Sequence, residues 1–372
     1  MAQSAVSAGF RVSSIDAFGD VDHPLSAGVF TPGPDAAWRT SRLPGLAATV
    51  APASRAVAYG SSLENDPRAV AALARGRVLW GNPPEVLRRV RDPRLLLGAF
   101  RARGLPAPDV RMPGEARPSR PPDAWMLKPR RSGGGLGVRR WRRGTRVPAS
   151  CYAQQYVDGT PGSVLFVAAR GQAAPLGVTR QLVGDPAFGA RGFRYCGSVL
   201  CGAGDEEGRA WGGPVGALVH AAGSAFDLVG VGGVDFIARE GVVHPIEVNP
   251  RWTSSMELVE RAWARSLFGV HAAACVDGSL PSVEAGGFVT SPARAYGKAI
   301  VFARRDVRLG DTRVWLGAGV ADVPHPWTQI AAGRPVCTVL AEGAGVSECR
   351  TALVARAAEI YRQLDIWGLE AA

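Results

Sequence analysis

The residues best equipped for chemistry fall in a few short stretches. VGGVDFI carries Asp235, and HPIEVNPRW carries Glu247, Asn249 and Arg251. Aspartate, glutamate and asparagine are hard oxygen donors of the kind that holds Mg²⁺ against substrate phosphates. Glu247 and Asn249 are two apart, so an extended chain turns both to one face. Asp235 joins that face only if the hairpin between them has a three-residue loop, 240–242, or a bulge. Arg251, just past the strand, is placed to stabilise charge on a transferring phosphoryl group.

Upstream, WMLKPRRSGGGLGV reads as a strand ending in Lys128, then Ser132 and the run Gly133, Gly134, Gly135, Leu136 and Gly137, then a second strand. Glycines lack Cβ, so successive backbone N–H groups can converge on phosphate oxygens, and a strand-end lysine adds a compact positive charge. In YAQQYVDGTPGS a strand runs through Gln154 into a short connection, where backbone groups of Gln155, Tyr156 and Val157 suit an adenine ring.

The elements that must hold these residues can be read coarsely. The first hundred residues alternate helix and strand patterns in the manner of a parallel α/β sheet. Strands are expected at 10–15, 56–59 and 78–80, with helices at 2–8, 67–75, through 90 and at 93–103. Glu64, Asn65 and Asn82 then lie beyond strand ends, where ligands bind in such sheets, although Asn and Pro there also make ordinary turns. Strands follow at 125–128, 138–141, 152–157, 163–168, 174–183 and 193–200. A helix at 215–228, strands at 233–238 and 242–248, and a helix at 255–274 come next. The last hundred residues mix short strands, including 298–303 and 336–340, with a closing helix at 346–364. No internal repeat is visible.

Composition narrows the class. The chain has 372 residues, 47% of them hydrophobic, which excludes a disordered polypeptide and suggests two or three domains. It has no apolar run long enough for a membrane span and no signal-peptide pattern at its start. Six cysteines with no C-x-x-C pair fit a reduced, cytoplasmic protein better than a disulfide framework or a zinc site. Only two of the 43 basic residues are lysine, Lys128 and Lys298, and only three asparagines occur, so those that remain are enriched for positions where the side chain itself matters. Residues 101–150 hold ten of the eleven net positive charges. That segment reads as a nucleic-acid patch, a polyphosphate cradle or a solvated face.

The signatures G-x-x-x-x-G-K-[ST], G-x-G-x-x-G after the early strands, G-x-S-x-G and H-E-x-x-H are absent. The order Lys-Pro and glycine loop, Q-Q-Y-V-D-G, then E-V-N-P-R resembles the ATP-grasp superfamily over nearly the whole chain. Within it the chain is similar to the carboligase-related group, distant kin of biotin carboxylase, and to proteins of bacteria with tetrahydromethanopterin- or methylofuran-linked one-carbon metabolism. The resemblance implies a mixed α/β and α+β fold. It has an N-terminal parallel-sheet (pre-ATP-grasp) domain at 1–93, a nucleotide clamp at 94–274 and a small β-rich C-terminal piece at 275–372. It implies ATP and Mg²⁺ as cofactors. Lys128, Ser132, Gly133, Gly134, Gly135 and Gly137 would contact the phosphates, with Gln154, Gln155, Tyr156 and Val157 at the adenine. Asp235, Glu247 and Asn249 would ligate the metal. Arg251, and with it Arg180 in GVTRQLVG, would bind the phosphoryl group or an acceptor carboxylate.

Three departures from the family pattern stand out. The family places a lysine just after an acid ahead of the clamp, whereas this chain reads R-D-P with Pro93 there, leaving Arg91 or Arg94 as substitutes. The hinge carries Gln155 where glutamate is common. The chain opens in a helix where the family has a strand first, so either that strand is missing or the start is late.

The activity implied is an ATP-dependent carboxylate–amine (or carboxylate–thiol) ligase working through an acyl phosphate, in the assembly of a one-carbon coenzyme such as methylofuran or a pterin. Its substrates would be small molecules, with no nucleic-acid or membrane partner and a homodimer left open. A biotin-type carboxylase component is the rival enzyme; neither lysine lies in a Met-Lys pair, so biotin would come from another chain. A non-catalytic nucleotide-binding protein is the second alternative. For the remaining residues, Ser254-x-x-Glu257 reads as a capping box, His271 as a satisfied core histidine, Lys298 as an exposed lysine, and Cys196 and Cys201 as small core residues.

Overall fold

A computed structural model describes residues 1–23, 28–30, 39–115, 124–141, 146–281 and 291–370. Parts of the arginine-rich segment, at 116–123 and 142–145, lie outside the described residues. The centre is an eight-stranded antiparallel sheet, ordered in space as Val242–Asn249, Gly230–Arg239, Thr160–Ala169, Gln172–Val183, Tyr195–Leu200, Ala295–Phe302, Pro335–Gly343 and Val320–Ala321. The three strands after residue 290 therefore extend the sheet that bears the candidate metal ligands.

Strand Thr160–Ala169 shows why the sheet is covered on both faces. Val164, Phe166 and Ala168 pack in a core with helices Glu206–Phe226 and Val346–Glu370, while Leu165, Val167 and Ala169 pack in a second core with Met256–Trp263 and Leu267–Val276. Successive side chains alternate between faces, so an unbroken apolar run serves two cores at once.

Smaller sheets accompany it. In the first hundred residues Ala56–Ala58 runs parallel to Val78–Trp80, and Ser13–Ile15 runs parallel to Gly28–Phe30. A four-stranded sheet, ordered Val110–Arg111, Cys151–Gln155, Trp125–Pro129 and Arg139–Arg140, carries Lys128 and the glycine loop. The mixed α/β architecture with parallel strands at its N-terminal end is the one expected, and the structure adds that the main sheet is antiparallel. All six cysteines are free, and Cys196 and Cys201 are fully buried in the first core. No helix among the described residues is long and apolar enough to cross a membrane.

Two helices depart from their expected bounds. The one expected at 215–228 begins at Glu206 and runs through Pro214. Gly212, Gly213 and Pro214 read as breakers, yet Trp211 packs edge-on against Phe236, with ring centroids 5.3 Å apart, and the core overrides local propensity. The helix expected at 255–274 is two, because Ala264 adopts a left-handed conformation and Ser266 caps the second through Phe268 N.

Candidate active site

The hairpin that brings the acids together uses a bulge. Strands Gly230–Arg239 and Val242–Asn249 are joined by only two residues, Glu240 and Gly241, both at positive φ as a tight hairpin turn requires. Pairing runs Arg239 with Val242 through Phe236 with Pro245, then skips Ile246 and resumes with Asp235 opposite Glu247 and Gly233 opposite Asn249. One extra residue thus turns Asp235 to the face of Glu247 and Asn249. Of the two expected routes, the bulge is the one used.

On that face the polar groups interlock. Asp235 accepts hydrogen bonds from Asn249 Nδ2 at 3.1 Å and from Gln181 Nε2 at 3.0 Å. Arg251 Nη2 donates to Asn249 Oδ1 at 3.1 Å, and its Nε donates to Glu64 Oε1 at 2.9 Å. Glu64 is 2% exposed, and its second oxygen is buried without a hydrogen-bond partner. Burial, then the neighbouring Glu247 charge, pushes the Asp235 carboxyl up to about 6.

Glu247 faces two cations. Arg91, which follows helix Pro84–Val90, forms an ion pair with Glu247 and donates from Nη2 to Ser132 O at 3.2 Å. Burial alone would raise Glu247, but Arg91 and Lys128 hold its carboxyl below the ordinary value. Lys128 Nζ donates to buried Gln154 Oε1 at 3.3 Å and lies 5.9 Å from the Tyr152 ring centre. Burial lowers the Lys128 ammonium, while Tyr152 and Glu247 outweigh it and raise it. Of the two arginines offered in place of a lysine at Pro93, Arg91 is the one that lies against Glu247. Arg94 instead pairs with Glu115, away from this cluster.

The glycine loop is held down at its centre. Gly135 has φ +73°, and a Cβ there would lie 1.8 Å from Phe193 O. Tyr195 N donates to Gly134 O at 3.1 Å, so the loop rests on the start of a central strand. At the hinge, Gln155 N and Tyr156 N donate to Asp109 O and Ala124 O, and Gln155 Oε1 accepts from Asp109 N at 3.3 Å. Those two N–H groups hold the hinge to the four-stranded sheet. Val157 follows directly, and Arg140 lies over the Tyr156 ring, 3.2 Å from its centre.

Other expected residues fall elsewhere. Arg180 and Gln181 are consecutive in a regular stretch of strand, so they face opposite ways. Gln181 reaches Asp235, whereas Arg180 pairs with Glu207 at 2.8 Å on the other face. Sequence reading chose the arginine by charge and missed the glutamine, although their parity was legible. Lys298 is not exposed: it is 6% accessible and pairs with Glu257, which in turn forms no capping box. Burial would lower Lys298, but Glu257 overrides it and its ammonium is pushed up to about 12. His271 is the core histidine expected, accepting from Val231 N at Nδ1 and facing Trp80 O through Nε2. The side chain of Asn82 is spent on backbone groups. It bonds Val229 N, Val229 O and Pro250 O, fastening the parallel sheet to the central one.

Among the described residues no cluster of three or more His, Cys, Asp or Glu is arranged to hold a metal unaided. Two carboxylates and an amide oxygen fit Mg²⁺, which keeps several positions for water and substrate phosphates.

Comparison with known proteins bears on the fold. Residues 90–255, a little under half of the chain, match the family of ATP-grasp domains. No curated protein sequence matches the chain significantly. Among solved structures, the biotin carboxylase domain of Hydrogenobacter thermophilus 2-oxoglutarate carboxylase, a dimer crystallised with MgADP and bicarbonate, superposes with a TM-score of 0.66. It is 13% identical, over 91% of this chain and 82% of that one. N5-carboxyaminoimidazole ribonucleotide synthetase from Thermus thermophilus gives a TM-score of 0.65 at 17% identity, covering 95% and 92%. L-amino acid ligase from Bacillus licheniformis gives 0.65 at 17%, covering 98% and 93%. At such identities the likeness is one of fold, and the fold is ATP-grasp.

Proposed function

We propose that this chain, an ATP-grasp fold whose residues 90–255 match the ATP-grasp domain, is an ATP- and Mg²⁺-dependent ligase that joins a carboxylate to an amine through an acyl phosphate. The observation that carries the proposal is the convergence of Asp235, Glu247 and Asn249 on one face with Lys128 and Arg91 against Glu247. Cations and hard oxygens in one buried cluster suit a polyphosphate with its metal better than either alone.

In this reading Lys128, Arg91 and residues 132–137 hold the phosphates, Gln154 positions the Lys128 ammonium, and residues 155–157 line the adenine. Asp235, Glu247 and Asn249 would hold Mg²⁺, which when bound neutralises phosphate charge. Arg251, kept rigid by Glu64 and Asn249, presents its guanidinium to the carboxylate or to the phosphoryl group. A carboxylate oxygen attacks the γ-phosphorus and ADP departs; the amine then attacks the acyl carbon and phosphate departs with that oxygen. Labelling the carboxylate oxygens isotopically therefore tests the route: label appears in released phosphate if an acyl phosphate forms and is absent if it does not. The one-carbon coenzyme setting is the finer part of the proposal and rests on the sequence resemblance.

A further inference from the structure

A wide cleft of about 2170 Å³, including the solvent at its mouth, separates the 41–92 segment from residues 129–131 and 149–150. Five arginines line it: Arg68 and Arg88 from the first segment, Arg130 and Arg131 from beside the glycine loop, and Arg91 between them. Arg91 is committed to Glu247, and Glu64, also in the wall, to Arg251. The side chains of Arg68, Arg88, Arg130 and Arg131 have neither ion pair nor hydrogen bond among the described residues. The two aspartates in the wall are turned to local donors and not to these arginines: Asp66 accepts from Ala69 N and Thr40 Oγ1, and Asp92 from Arg94 N and Leu95 N.

Arg68, Arg88, Arg130 and Arg131 are exposed around one cleft, and with Arg91 they outnumber its carboxylates, Glu64, Asp66 and Asp92, so the cleft carries a positive field that attracts an anion. Arginine's forked donors match phosphate and carboxylate equally, each in a bidentate pair. The cleft also adjoins the site at two points. Arg91 and Arg130 line a small cavity that reaches Glu247, and Glu64 reaches Arg251. An occupant thus lies beside the phosphate cluster and is distinct from the nucleotide under the glycine loop.

We infer that this cleft is a second oxyanion site, for a substrate that bears at least two negative charges, phosphate or carboxylate, in addition to the carboxylate to be activated. Calling the anion a substrate rests on the ligase reading; the site itself does not.

The test is calorimetric titration of the full chain with inorganic phosphate and, separately, with tricarballylate, each with and without a saturating Mg²⁺ complex of a non-hydrolysable ATP analogue. Wild type is expected to bind at least one probe in both conditions, the tighter probe telling a phosphate substrate from a polycarboxylate. Replacing Arg68 and Arg88 together by alanine, or Arg130 and Arg131 together, should weaken that probe at least tenfold while analogue affinity changes less than threefold. The inference is overturned if neither probe binds, if the saturating analogue displaces both, or if both paired variants, folded by circular dichroism, retain wild-type affinity. Failure of the ligase reading shows differently, as loss of analogue binding with anion binding intact.

Discussion

Glu247 sits at the charged centre of the site: it pairs with Arg91, feels the charge of Lys128, and has Asp235 opposite it across the hairpin. Removing its charge leaves two cations uncompensated and takes a hard oxygen from the metal set. Glu247→Gln is expected to lower ATP turnover by 10²–10³, about 2.7–4 kcal/mol, with the melting transition still cooperative. Arg180→Ala, on the opposite face beside Glu207, should change it by less than about threefold, and steady-state assays of both variants check the contrast. Lys128 gives a second comparison. Its ammonium sits between buried Gln154 and the Tyr152 ring, a space a planar guanidinium does not match. Lys128→Arg should weaken binding of the ATP analogue at least tenfold, about 1.4 kcal/mol, while Arg130→Lys and Arg131→Lys change it less than threefold. Equal affinity for Lys128→Arg and wild type would show that only charge matters there. At this scale the shared face of Asp235, Glu247 and Asn249 was legible as one of two routes, because residue type and spacing set it. Gln181 and the Glu257–Lys298 pair were not, because both depend on which strands become neighbours.

Elements dock through polar groups as well as apolar faces. His271, on Leu267–Val276, takes a hydrogen bond from Val231 N and faces Trp80 O, so one imidazole joins a helix, the central sheet and the parallel sheet. Burial lowers its pKa from 6.5 to about 4. A group whose charged form is disfavoured on folding contributes fully above its unfolded pKa, where both states are neutral. Below that the unfolded chain takes up a proton and the folded one does not, so stability falls as pH drops from about 6.5 towards 4. A shift of that size corresponds to about 3 kcal/mol at most. Urea unfolding at stepped pH should show this decline, and His271→Gln should flatten it; an unchanged slope would remove His271 as the cause. The hairpin shows what sequence does and does not disclose at this scale. Two alternatives were legible for bringing Asp235 to Glu247, but no local pattern told that the one used would be the bulge that skips Ile246. The same holds for the helix expected from 215, which begins at Glu206 and runs through Pro214 with Trp211 packed on Phe236.

Across the whole molecule, one continuous antiparallel sheet carries Asp235, Glu247, Asn249, Gln181 and the strand bearing Lys298, while the turn holding Glu64, the helix end holding Arg91 and the four-stranded sheet holding Lys128 present their side chains to it. Chemistry at such a junction depends on how separate sheets meet. That explains why the overall class was legible from ordered motifs while the arginine-lined cleft was not: Arg68 and Arg88 are about forty to sixty residues from Arg130 and Arg131 in sequence. The concentration of positive charge in 101–150 also takes on a location, since Lys128, Arg130 and Arg131 from that segment face the phosphate cluster or the cleft beside it. The central claim, phosphoryl transfer to a carboxylate, is tested most directly by following nucleotide products. Incubation of the protein with Mg·ATP and pooled carboxylates and amines, read by phosphorus NMR, should yield ADP and inorganic phosphate only when a carboxylate is present. Accumulation of AMP and pyrophosphate, or no carboxylate-dependent turnover at all, would contradict it.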